Sequence, residues 1–126
     1  MKPNINIITL MVTDLKKSLV FYRDGLGLPT KGIVKGYEDH VLFEMENGLS
    51  LVLFQSDDYD QDYSGLVLSH SADSKEEVND ILKKAEVAGG KITNEPTEEL
   101  WGYYGSFTDP DGHEWEIMWN PQFELN

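Results

Sequence analysis

The chain has 126 residues, 40% hydrophobic and 11% aromatic, enough for one globular domain with a real core. Its 23 acidic residues outnumber 10 basic ones, and the formal charge of −13 repels phosphate backbones, which excludes nucleic acid as the expected partner. Cysteine is absent, excluding disulfides, thiolate catalysis and cysteine-ligated zinc.

No apolar run approaches the roughly 18 residues a membrane span requires. The opening MKPNINIITLMVTDLKK lacks the basic flank and long apolar core of a signal peptide. A cytoplasmic protein with no membrane partner is therefore expected.

In chain order, INIITLMV is an apolar, branched stretch that predicts a strand ending at Val12. Thr13 or Asp14 can cap a helix from Leu15 to about Gly25, with Leu15, Leu19, Tyr22 and Leu26 on its inner stripe. Short strands are predicted near Thr30 to Val34, His40 to Met45 and Leu49 to Phe54. The segment QSDDYDQDYSG is acidic and without periodicity, which marks a linker.

The same order then returns. GLVLSHSAD predicts a strand, Ser74 with Glu77 fits a capping box, and Val78, Ile81, Leu82 and Ala85 form an inner stripe before Gly89 and Gly90. Strands are predicted at Lys91 to Asn94, Tyr103 to Thr108 and Glu114 to Trp119. ENGLSLVLF and PDGHEWEIM each place a glycine turn directly before the last strand of their half. Each half thus reads βαβββ, and the whole chain reads as one α+β domain, residues 1–126. Its modules cover about 4–55 and 65–120, joined by a linker of about 56–64.

The segments VTDLKKSLVFYRDGLGLP, LSHSADSKEEV and YYGSFTDPDGHEWEIMWNP together resemble the vicinal oxygen chelate superfamily. That group includes glyoxalase I, extradiol dioxygenases, fosfomycin resistance enzymes and bleomycin resistance proteins. The resemblance implies two βαβββ modules forming a concave eight-stranded mixed sheet with helices on its outer face. It also implies a homodimer and a small-molecule ligand.

Metal-dependent members take ligands from four strand positions, one on the first and one on the last strand of each half. Here these positions fall at Ile7, Val52, Val67 and Glu116. Three of the four have no donor atom, and a lone carboxylate holds a divalent ion weakly, so no metal and no other cofactor is expected. HEWE does not repair the deficit, because His113 and Glu116 are three apart and point to opposite faces of a strand.

The first reading is therefore an apolar, metal-free cup that binds a small organic molecule, with Glu116 as its polar anchor. Alternation adds Thr9, Ser50 and Phe54 on one side, and Ser69 and Glu114 on the other. WGYYGS supplies Trp101 and Tyr104 as a pocket mouth. The alternative is a lyase, isomerase or dioxygenase-type enzyme in which Glu116 is the catalytic general base or a metal ligand. Against catalysis, Lys2, Lys31, Lys35 and Lys91 fall on turns or edges, leaving no clear partner for a developing enolate. His70 is expected on the helix side as a buried, hydrogen-bonded residue, His113 in a solvated turn, and His40 as a strand opener.

Overall fold

The computed structural model describes residues 2–3, 5–57 and 66–121. The chain divides into two compact units, Met1–Asp60 and Gln61–Asn126. The linker predicted at about 56–64 lies mostly outside the described residues.

In the first unit, strand β1 (Ile7–Val12) leads to helix α1 (Leu15–Leu19), and β2 (His40–Glu44) and β3 (Ser50–Gln55) follow. The sheet order is β1-β3-β2, with β1 parallel and β2 antiparallel to β3. Asp14 caps α1 by accepting a hydrogen bond from the Lys17 N–H, and the Leu15 N–H donates to Gln55 Oε1 at 2.9 Å. The start of the helix is thereby tied to the end of β3.

The predicted helix extends as far as expected, but its second half, Val20–Gly25, widens into a π-helical turn. Phe21 and Tyr22, adjacent in sequence, are both fully buried, and their rings meet edge to face at 5.0 Å. The predicted stripe holds at Leu15, Leu19 and Tyr22, all buried against β2 and β3 with Val41, Phe43, Leu51 and Leu53.

The strand predicted near Thr30 to Val34 does not form. Gly32 and Gly36 adopt positive φ of 77° and 92°, which breaks the extended run, and Val34 makes only an isolated bridge to Tyr37. A side chain replaces the expected ladder: Thr30 Oγ1 donates to the Leu42 carbonyl at 2.6 Å and accepts from the Gly32 N–H. The first sheet accordingly has three strands where four were expected, and the described residues form sheets of three and four strands, which do not confirm a single eight-stranded sheet.

The second unit comprises β4 (Val67–Ser71), α2 (Lys75–Val87), β5 (Lys91–Glu99), β6 (Gly102–Thr108) and β7 (Glu114–Trp119), in sheet order β4-β7-β6-β5. Strand β5 runs well beyond the predicted Asn94, with two register irregularities against β6. Ser74 Oγ accepts from the Glu77 N–H as predicted, while Glu77 Oε2 reaches the N–H of Asp73, one residue before the cap. Helix α2 packs on β5, β6 and β7 and buries Val78, Leu82 and Ala85 over Phe107 and Ile117.

Glycines in β6 are there for close approach. A Cβ at Gly102 would lie 2.1 Å from the Trp119 carbonyl oxygen, and one at Gly105 would lie 2.3 Å from Leu82 Cδ1. The latter contact also identifies which face of this sheet the helix covers.

Candidate functional site

Strand alternation leaves one face of each sheet without a helix. In the first unit, β1, β3 and β2 pair so that three rows of side chains share this open face. The rows are Ile7–Ser50–Glu44, Thr9–Val52–Leu42 and Met11–Phe54–His40. Sequence reasoning named five of these nine residues, Ile7, Thr9, Ser50, Val52 and Phe54, and the structure brings them together. It missed Met11 and the β2 members His40, Leu42 and Glu44, which the alternation of HVLFE, with Val41 and Phe43 buried, was sufficient to find.

The second unit repeats the arrangement in the same register. Across β4, β7 and β6 the open-face rows are Val67–Glu114–Thr108, Ser69–Glu116–Ser106 and Ser71–Met118–Tyr104. Thr9 opposite Val52 in one unit corresponds to Ser69 opposite Glu116 in the other. Val67, Ser69, Glu114, Glu116 and Tyr104 thus share a face as predicted. Trp101 does not belong to this grid: it sits exposed in the turn before β6, its ring centroid 5.7 Å from that of Tyr104.

The DPDG turn sets this register. Buried Asp109 accepts hydrogen bonds at Oδ1 from the N–H groups of Asp111 and His113, at 2.9 and 2.8 Å, and Gly112 takes a φ of 88°. His113 is half-buried, not solvated as expected. The strand that follows turns Ile117 inward and Glu116 toward the open face.

Glu116 is half-buried as a residue, and its carboxylate has no hydrogen bond or ion pair to any described residue. Its row is polar: Ser106, buried beside it, is hydrogen-bonded to Thr93 Oγ1 at 2.8 Å and to Asn94 Nδ2 at 2.5 Å. A cationic residue of the same face, Lys91, stands on the outer strand β5, with β6 between it and β7. Helix-side groups are otherwise engaged: Tyr103 donates to Asn79 Oδ1, and Lys75 pairs with Glu98 over the rings of Tyr103 and Trp119. His70 faces the helix as alternation predicts, but it is exposed, its Nε2 3.8 Å from Glu77 Oε1.

The donor set does not fit a family-type metal. Ile7, Val52 and Val67 carry no ligating atom, and no group of three His, Asp or Glu side chains among the described residues is arranged to hold an ion.

A pocket of about 460 Å³ opens in the first unit beside β2. His40, Leu42 and Glu44 line it from the strand, and Pro29 to Gly32, Val34 and Tyr37 line it from the loop that replaces the predicted strand.

Residues 4–117 match the model of the Glyoxalase/Bleomycin resistance protein/Dioxygenase superfamily, and the chain belongs to that superfamily. Among solved structures, it is similar to a glyoxalase-related enzyme from Fulvimarina pelagi, with 25% identity and a TM-score of 0.86 over 98% of this chain and 93% of the other. A glyoxylase/bleomycin resistance protein/dioxygenase domain from Frankia sp. EAN1pec aligns at 26% identity and a TM-score of 0.75, covering 95% and 99% of the two chains. A genomically encoded fosfomycin resistance protein from Listeria monocytogenes shares the fold, at 19% identity and a TM-score of 0.76, covering 97% of each chain. A comparison with curated proteins finds no match.

Proposed function

We propose that this protein binds a small organic molecule on the open faces of its sheets without a family-type metal, with Glu116 as the polar anchor in the second unit. The observation that carries the reading is the carboxylate of half-buried residue Glu116, which has no partner among the described residues in a row otherwise made of hydroxyls. An unpaired carboxylate on a partly covered face has its acceptor capacity open to a ligand, so a ligand with a cationic or hydroxyl group is the natural complement. Val67, on the same open face as Glu116, favours an apolar body for that ligand. The remaining residues give each unit its own open-face surface for such a ligand: Thr9, Ser50 and Phe54 in the first unit, and Ser69, Glu114 and Tyr104 in the second, with Trp101 at its edge beside Tyr104. The reading includes a homodimer, which sedimentation equilibrium tests.

Thermal denaturation with divalent metals and with small organic cations tests it. The reading predicts stabilisation by an organic cation that Glu116→Gln abolishes. Stabilisation by Ni²⁺ or Zn²⁺ that Glu116→Gln abolishes contradicts it.

A second reading is a lyase or isomerase with Glu116 as general base. The similarity to a glyoxalase-related enzyme and the open-face position of Glu116 support it. The far-edge position of Lys91 weighs against it, because an enolate formed at Glu116 needs a nearby positive or donor group.

A further inference from the structure

The helix side of the second sheet holds a cationic group that the Glu116 readings do not use. Glu98, Tyr103 and Trp119 are direct neighbours across β5, β6 and β7, so their side chains form one row on the face toward α2. Lys75, the first residue of α2, reaches onto this row. Its ammonium pairs with the Glu98 carboxylate and stands 5.7 Å from the centroids of both the Tyr103 and the Trp119 ring.

Two aromatic faces and a carboxylate around one cation are the parts of an ammonium cage. Strand pairing sets the backbone of all three walls, and the Tyr103 hydroxyl donates to Asn79 Oδ1 at 2.8 Å, contacts in which Lys75 has no share. Lys75 fills the cage loosely. A separation of 5.7 Å lies near the roughly 6 Å outer limit of cation–π attraction, which leaves room for methyl groups between the nitrogen and the rings. The occupant is also easy to withdraw, because the Lys75 and Glu98 side chains are 41% and 64% exposed. A positive charge at the start of a helix further opposes the macrodipole, so nothing in α2 itself favours a lysine there.

We propose that the Glu98–Tyr103–Trp119 row is a binding site for a quaternary ammonium group, and that Lys75 occupies it in the free protein and swings into solvent to admit the ligand. The methyl groups of such a ligand meet both rings, and Glu98 balances its charge. Glu116 projects from the opposite face of the same sheet, so this site goes beyond the Glu116 reading and does not rest on it.

The test titrates the full chain with tetramethylammonium and with tert-butanol, a neutral molecule of similar shape, following the Trp119 indole resonance by NMR. Trp119→Phe assigns that resonance. Lys75→Met, which empties the cage and keeps an apolar stem, is expected to bind tetramethylammonium about tenfold tighter than wild type and to ignore tert-butanol. Adding Glu98→Gln to Lys75→Met is expected to weaken binding about threefold, and the exposure of Glu98 makes this change safe for folding, which the amide spectrum checks. Equal affinity in wild type and Lys75→Met, no saturable shift in folded Lys75→Met, equal binding of tert-butanol, or undiminished affinity after Glu98→Gln would overturn the proposal. Glu116→Gln is expected to leave the Trp119 titration unchanged, and its loss in that variant would place the cation on the other face and overturn the proposal too. Because the Glu116 reading is judged by Glu116→Gln and this one by Lys75→Met and Glu98→Gln, either can fail alone.

Discussion

Single residues set the geometry of both open faces, and Gly102 is the least replaceable of those described. The Trp119 carbonyl oxygen occupies the space that a side chain at 102 would need, and a backbone atom of a paired strand cannot step aside cheaply. Gly102→Ala is therefore expected to destabilise the fold by about 3 kcal/mol or more, read as a drop in the urea midpoint. A change below about 1 kcal/mol would mean that β6 and β7 part more easily than their register indicates. Asp14 illustrates a milder effect: Asp14→Ala removes the acceptor for the Lys17 N–H and is expected to cost about 1 kcal/mol in the same measurement. Asp14 as cap, the Ser74–Glu77 pair and the DPDG turn were all legible, because each rests on local chemistry. The cross-strand neighbours of His40 and Glu116, Phe54 for the one and Ser69 and Ser106 for the other, were not, because they depend on which strands adjoin.

At the scale of elements, period-two alternation assigns most of the open-face residues to their faces. It assigned Trp115 and Ile117 to the helix side and Glu114 and Glu116 to the other, as the pairing with β6 bears out. It misread Thr30 to Val34, where branched residues resemble a strand but the glycines at 32 and 36 take conformations that a strand cannot hold. The loop formed instead supplies one wall of the pocket beside β2. Its 36–38 turn is sensitive to acid: the hydrogen bond from the Gly36 N–H holds the Glu38 carboxyl below the ordinary glutamate range. With a depressed folded value, the bond stabilises the turn above the ordinary glutamate pKa and is lost as pH falls through the depressed one. The Gly36 amide resonance should therefore titrate with a midpoint below that of a glutamate in an unstructured peptide. A midpoint at or above that value would show that the hydrogen bond does not persist in solution.

At the scale of the whole molecule, the internal repeat was visible in the order of strands, helices and glycine turns, and both units pair their strands in one register. The fold class was thus readable from local signals repeated twice, while the strand count was not. Function was less legible, because the superfamily hosts different chemistries on one scaffold. The charge of −13 carries its own expectation: the protein should show no retention on an immobilised polyanion at physiological salt, and retention would reveal a basic surface that the composition does not suggest.

The central claim is that Glu116 anchors an organic ligand directly. Calorimetric titration of wild type and Glu116→Gln with the organic cation that most raises the melting temperature tests it most directly. The account predicts a loss of about 1.5–3 kcal/mol in binding free energy for the variant, the value of a hydrogen bond to a charged group, roughly ten- to a hundredfold in affinity. Equal affinity in the two proteins would contradict it.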